Sequence, residues 1–278
     1  MPYIDGQLLA LKGLYESKIR ENGKKGKTSA IRSSALINII HDSVKHELIE
    51  QQVDPTRIKP KLGKTSGESQ LSGYYKQKKQ DVCVEPKRIR ESKRTISWGP
   101  MASEKIEDKY GEDYTKNTLV INIRSQLSSI AKNTDTLFER TLAEALNLHK
   151  KYPDIVLGEV YLIPAHEYDE STMDDRRITF KEGHTNIAKY ISFFKELSDR
   201  HQVTDDPCKY ERCALLVVDF NRDQPYLYRS TAELKAENLV PADFDIELAD
   251  LSFDSFAQDI LAIYGERFEL QNILADPE

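Results

Sequence analysis

The sequence predicts a single mixed α/β domain, on three observations. Its second half alternates apolar strands with amphipathic helices, with strands at 118–124, 155–164 and 213–220 and helices at about 135–149 and 185–200. Its 278 residues, 39% hydrophobic and 31% charged, suffice to bury a sizeable core without a disulfide framework. No internal repeat or low-complexity linker divides it, so one domain over 1–278 is expected. A helical N-terminal part (1–60), a core (61–220) and a helical C-terminal part (221–278) compose it. No apolar run is long enough to cross a membrane, and the first residues lack a signal-peptide pattern. Three cysteines, Cys83, Cys208 and Cys213, form an odd, sparse set that suits a reducing compartment. A soluble cytoplasmic protein without a membrane partner is the expectation.

The elements follow in order. Leu8, Leu9, Leu11, Leu14, Tyr15 and Ile19 recur at helical spacing over 6–21, and Gly23 is expected to end that helix. A short basic loop at 23–27 should lead to Thr28 or Ser29 as cap of a second helix to about Gln52, with Ile37, Ile40, Val44 and Leu48 on one side. Pro55 and Pro60 stop it. Residues 57–79, rich in Lys, Gly, Ser and Thr, read as a loop, and 81–86 as a strand. The acidic stretch 104–113 reads as a surface insertion.

Leu119, Val120, Ile121 and Ile123 make a strand that places Asn122 and Arg124 on one face. Thr134 or Asp135 is expected to cap the next helix, which buries Leu137, Phe138, Leu142 and Ala145. A last helix, 252–267, carries Phe253, Phe256, Ile260 and Tyr264.

The formal charge of −6 conceals an asymmetry. Residues 1–140 carry 26 Lys and Arg against 18 Asp and Glu, and 141–278 carry 14 against 28. Within 51–100 the balance is 12 to 5. A basic half of this kind fits a polyanion partner, because Lys and Arg displace counterions from phosphates, and it also fits an ordinary solvated basic face.

Several familiar chemistries are excluded. The stretch Gly23-Lys24-Lys25-Gly26-Lys27-Thr28 has Glu21 where a phosphate-binding loop needs its first glycine, and Gly63-Lys64-Thr65 fails likewise at Ile58. Cys208, Cys213 and His201 lack the paired spacing of a structural zinc site. No helix-spaced His pair and no Gly-x-Ser-x-Gly elbow occurs.

Metal-dependent phosphodiester cleavage needs an acidic oxygen ligand, a second oxygen ligand nearby, and a cation or base beside the attacking water. Adjacent strands can supply these as Asp81, Asn122 and Arg124, after the basic approach Tyr74-Tyr75-Lys76-Gln77-Lys78-Lys79-Gln80. Asp81 and Asn122 also read as ordinary strand polars, and Arg124 as a salt-bridge partner.

With Asn122-Ile123-Arg124-Ser125-Gln126, then Lys132-Asn133, then the helix segment Phe138-Glu139-Arg140-Thr141-Leu142-Ala143-Glu144-Ala145 and the strand residues Gly158-Glu159-Val160-Tyr161, the chain resembles the type II restriction endonucleases of the PD-(D/E)XK nuclease superfamily over about 70–165. It departs from their pattern at Asn122, where Glu is usual, at Arg124, where Lys is usual, and at Gln80, where Pro precedes the Asp. The resemblance implies a restriction-endonuclease-like mixed central sheet flanked by helices. It implies Mg²⁺-dependent, site-specific cleavage of double-stranded DNA by a homodimer, partnered in a bacterial or archaeal cell by a cognate DNA methyltransferase.

On it, Asp81, Asn122, Arg124, Gln126 and Glu144 form the catalytic set, with Asp81, Asn122 and Ile123 at the metal. Tyr74, Tyr75, Lys76, Lys78, Lys79, Ser125, Ser128, Lys132, Asn133 and Arg140 would face DNA. Arg stays protonated and cannot act as a base, so Arg124 would stabilise phosphate charge. Glu85 and Glu139 are reserve carboxylates, Glu159 reads as a structural ion-pair member, and Arg140 and Glu144, four apart on a helix, also read as a surface pair. The rivals are a DNA-binding protein that keeps this fold without catalysis, and a scaffold that binds acidic partners through the basic segment.

Overall fold

Apolar periodicity decides most of the elements, and glycine and side-chain caps decide where they stop. The computed structural model describes residues 2–276. Helix α1 (Tyr3–Arg32) is broken at Asn22 and Gly23, whose backbone leaves helical values, with Gly23 at φ +57°. Gly23 is the right residue for that break, because a side chain there would need a left-handed backbone and would meet the Met173 carbonyl at 2.7 Å. The helix then resumes at once, so the expected basic loop at 23–27 is helical. Thr28 caps nothing, since its hydroxyl bonds back to the Lys24 carbonyl inside the helix. The second helix, α2 (Ala35–Glu50), begins only after Ser33 and Ser34.

The expected loop at 57–79 contains β1 (Ile58–Lys59) and a hairpin of β2 (Gln70–Ser72) and β3 (Gln77–Lys79). Strand β4 (Val82–Val84) follows. The acidic stretch is no mere surface insertion, because β5 (Arg94–Thr95) pairs with β6 (Glu107–Asp108) and Arg94 binds the buried Asp108 at 3.1 Å. The short α3 (Glu112–Lys116) leads into β7 (Leu119–Ser125).

Helix α4 (Ile130–His149) starts a turn earlier than Thr134, behind Ser129 at φ +54°, and the Thr134 hydroxyl bonds the Ile130 carbonyl within it. Strand β8 (Leu157–Pro164), α5 (Ile187–Leu197) with Asn186 as cap, and β9 (Arg212–Asp219) occupy their expected places. The C-terminal part is not purely helical. It contributes β10 (Tyr226–Tyr228), then α6 (Thr231–Ala236) behind a Ser230/Glu233 capping box, then α7 (Phe253–Arg267) capped by Ser252.

Six strands form one mixed sheet in the order β1-β4-β7-β8-β9-β10. The central trio β7, β8 and β9 is parallel and the outer pairings are antiparallel. Strand alternation sends Ile121, Val160 and Leu216 to the face covered by α1, α2 and α7, and Val120, Tyr161 and Leu215 to the face covered by α4 and α5. Helix α7 lies so close that a side chain at Gly158 would meet Ile260 at 2.6 Å and Phe256 at 2.7 Å. Among the described residues, no helix is long and apolar enough to cross a membrane.

Opposite the candidate site, an ion network ties the start of β8 and β9 to the ends of α4 and α7 and to Arg200 beyond α5. Glu211 accepts from Arg200 at 2.8 Å, Arg267 at 2.6 Å and the Leu157 amide at 2.7 Å, and His149 lies at 3.3 Å. Burial opposes ionisation of Glu211, but its bond to His149, the Arg267 charge and the Leu157 amide outweigh it and hold the pKa below the ordinary glutamate value. A depressed folded-state pKa contributes stability that is present above the unfolded value, about 4.3, and lost as pH falls through the folded one. Glu211→Gln should lower unfolding free energy by about 3–5 kcal/mol near neutral pH, because two buried guanidinium groups lose their carboxylate. Urea titration at pH 7 and at pH 4 checks this, and the deficit should shrink at the lower pH.

Candidate active site

The site grows from an irregularity in the sheet. Strand β4 pairs with β7 only from Leu119 to Ile121, while β7 runs on to Ser125, so the β4 edge of β7 is open beyond Ile121. Asp81, just before β4, turns its carboxylate into that opening, and Oδ2 accepts the Ile123 amide at 2.9 Å. A strand residue directs its N–H and carbonyl to the same edge, so the Ile123 carbonyl also faces the side where Asp81 lies.

Asn122 and Arg124 share the opposite alternation and point to the α4 face. Asn122 is 1% exposed, its Oδ1 accepting from Lys78 at 3.3 Å and its Nδ2 donating to the Tyr210 hydroxyl at 3.4 Å. Register places Glu159 on β8 directly beside Asn122. Arg124 is held between two carboxylates, donating Nη1 to Glu159 and Nη2 to Glu144 of α4. Lys78 reaches the same Glu144 oxygen at 2.6 Å. Two cations and two carboxylates thus alternate across β3, β7, β8 and α4.

Their ionisation follows from burial and pairing. Burial of Glu159 pushes its pKa up to about 6 against the pull of Arg124, and its Oε2 has no hydrogen-bond partner. For Glu144, burial also disfavours the charge, but Arg124 and Lys78 prevail and lower its pKa. Burial opposes the charge of Arg124, and Glu159, Tyr210 and Glu144 more than offset it, so Arg124 stays a cation. Burial pushes His41 of α2 down, with Asp81 acting the other way, and its Nε2 is sealed without a partner.

The structure therefore brings together Asp81, Ile123, Asn122, Arg124 and Glu144 from the expected set. Gln126 is placed elsewhere. Its amide oxygen accepts from Tyr161 at 3.0 Å and Tyr190 at 2.7 Å, and its nitrogen donates to the Ile130 carbonyl at 2.8 Å, so the side chain fastens the β7–α4 turn. Glu85 is bonded to Ser69 at 2.7 Å, and Glu139 is exposed on α4.

Of the residues expected to face DNA, Lys78 lies inside the charge cluster. Tyr75, Lys76, Lys79, Lys132, Asn133 and Arg140 are exposed, while Tyr74, Ser125 and Ser128 are half-buried. Asn147 of α4 holds the β2–β3 turn, accepting the Tyr75 amide at 2.8 Å and the Lys76 amide at 3.0 Å. Lys150 sits over the rings of Tyr74 and Tyr75 at 4.5 and 4.9 Å. Asn133, Leu137, Arg140, Glu144 and Asn147 recur at spacings of four, three, four and three, so the exposed polar residues and the site share one stripe of α4.

Sequence reasoning gave Lys78 a DNA-facing role and not its place among the buried charges, and it missed Glu159 as a neighbour of Asn122. Parity could have found Glu159, since it shares the alternation of Tyr161 and lies one strand from Asn122. No local signal marks Lys78. Comparison with protein-family models, curated proteins and solved structures gives no match to this chain.

Arg124→Met should destabilise the fold by about 3–5 kcal/mol, because it leaves the buried Glu159 without its cation, and Glu159→Leu by less, because Arg124 keeps Glu144. The double variant should recover most of that loss, and a double-mutant cycle from urea midpoints measures the coupling.

Proposed function

We propose that this chain is a Mg²⁺-dependent, site-specific deoxyribonuclease of the type II restriction-endonuclease kind, cutting double-stranded DNA as a homodimer and paired with a cognate methyltransferase. The observation that carries the reading is Asp81 in the opening of β7, bonded to the Ile123 amide, with the ammonium of Lys78 beside Asn122 on the next alternation. Lys78 of β3 brings an ammonium to Asn122 and Glu144, so Arg124 in place of Lys does not leave the site without an amine.

The donor set fits a hard divalent cation in part. Asp81 supplies a carboxylate and Ile123 a carbonyl on one edge, and Mg²⁺ needs only one or two protein carboxylates when water and phosphate oxygens complete its shell. Asn122 fits less well as a ligand, because its amide oxygen is taken by Lys78. Bound there, the cation would lower the pKa of water and polarise the phosphate. Asp81 is oriented for such a role by the main chain of β7. Lys78 and Arg124 present positive charge where a phosphate gains negative charge, and Glu144 fixes both. Exposed Lys76, Lys79, Lys132 and Arg140 hold the DNA backbone, and Asn133 and Ser128 stand near the same groove.

A second reading, a DNA-binding protein without catalysis, has one observation in its favour. Glu144 and Glu159 both face cations within the cluster, which leaves Asp81 as its only carboxylate outside those ion pairs.

Purified protein incubated with mixed plasmid and phage DNA distinguishes the two. Discrete fragments are expected with Mg²⁺, none with EDTA, and a loss of at least 100-fold in rate for Asp81→Ala with DNA retention unchanged at low salt. Uncut DNA held in a salt-sensitive complex would transfer the assignment to the second reading.

A further inference from the structure

A cavity of about 310 Å³ opens beside the charge cluster, and its two walls differ in character. One is apolar, formed by Ile31 at the end of α1, Ile37 of α2, Leu127 after β7 and Leu137 of α4. The other is polar, formed by Arg124 and Ser125 of β7 with Arg140 and Glu144 of α4. Ile31 is 43% exposed, a large apolar side chain facing water on a helix segment that also carries Lys24, Lys25, Lys27 and Arg32. Arg140 is exposed and joins no ion pair among the described residues. Small-molecule sites span about 300–1,000 Å³, so this one holds a single small unit. An inorganic anion would need no apolar wall, and an acyl chain would not be met by two arginines and a glutamate. A flat apolar body carrying an anion satisfies both walls.

We propose that this cavity binds one nucleotide, with its base against Ile31, Ile37 and Leu137 and its phosphate on Arg140. In this the proposal rests on the deoxyribonuclease reading, and it specifies that the nucleotide is a unit of the DNA strand turned out of the duplex stack next to Asp81. Glu144, at the inner end, offers an acceptor to a base N–H.

Titration of the full chain with thymidine 5′-monophosphate and deoxyadenosine 5′-monophosphate, followed by methyl NMR, tests it against 2-deoxyribose 5-phosphate, which has the phosphate but no ring. Both nucleotides should bind at least tenfold more tightly than the sugar phosphate and should displace the methyl resonances of Ile31, Ile37, Leu127 and Leu137 by ring currents. Ile31→Glu and Arg140→Ala, both at exposed positions that leave the fold intact, should each weaken nucleotide binding at least fivefold. Equal affinity for nucleotide and sugar phosphate, absence of nucleotide binding, or ring-current shifts at other methyl groups would overturn the assignment. Cleavage assays on the same preparations separate the two ideas. Mg²⁺-dependent cleavage without nucleotide binding overturns the cavity assignment alone, whereas nucleotide binding without cleavage supports it and overturns the nuclease reading.

Discussion

The guanidinium of Arg124, shared by Glu159 and Glu144, is the constraint on which the candidate site depends. A planar fork presents separate N–H donors to two carboxylates from different elements in one fixed geometry, which an ammonium on a flexible stem does not impose. That choice joins β8 to α4 across β7 and draws Lys78 of the hairpin into contact with Glu144. Arg124 thus fixes Glu159 and Glu144, while Asn147 of α4 sets the turn of the hairpin that carries Lys78.

The sheet has a second ionic centre at the opposite end, where Glu211 gathers Arg200, Arg267 and His149. The two centres differ in what they leave open. At Glu211 the carboxylate is saturated by donors and the groups are deeply buried, so the network acts on stability. At Arg124, Asp81 is half-buried and a cavity lined by Arg124 and Glu144 adjoins the cluster. Charged groups beside accessible space are the condition under which a ligand can bind.

The mixed α/β class, the three strands at 118–124, 155–164 and 213–220 and the shared face of Asn122 and Arg124 were legible in the sequence, because apolar alternation and helical spacing are local signals. Asp81 beside β7 was legible too, since strand order and spacing suffice for it. The hairpin at 70–79 was not, because Asn147 fixes its turn from more than 70 positions away and no local pattern marks it. The helical continuation past Gly23 escaped for a similar reason. The glycine breaks the backbone, but packing against Met173 and the ion pairs of Lys24 and Lys27 with Asp174 and Glu170 hold the next turn helical. Gln126 was misplaced because a Ser-Gln pair at a strand end says nothing about which hydroxyls will reach it.

The close seat of α7 on Gly158 bears on how the chain is made. One whole face of the sheet, including Ile121 and Val160, is covered jointly by the first helices and by residues 253–267, and the backbone near Gln52 and Asp54 bonds Ala275 and Ile273. A chain synthesised from its N-terminus leaves that face open to water until residues 253–267 have emerged from the ribosome. The sheet holding Asp81 and Arg124 is thus closed only after every one of its strands has been made.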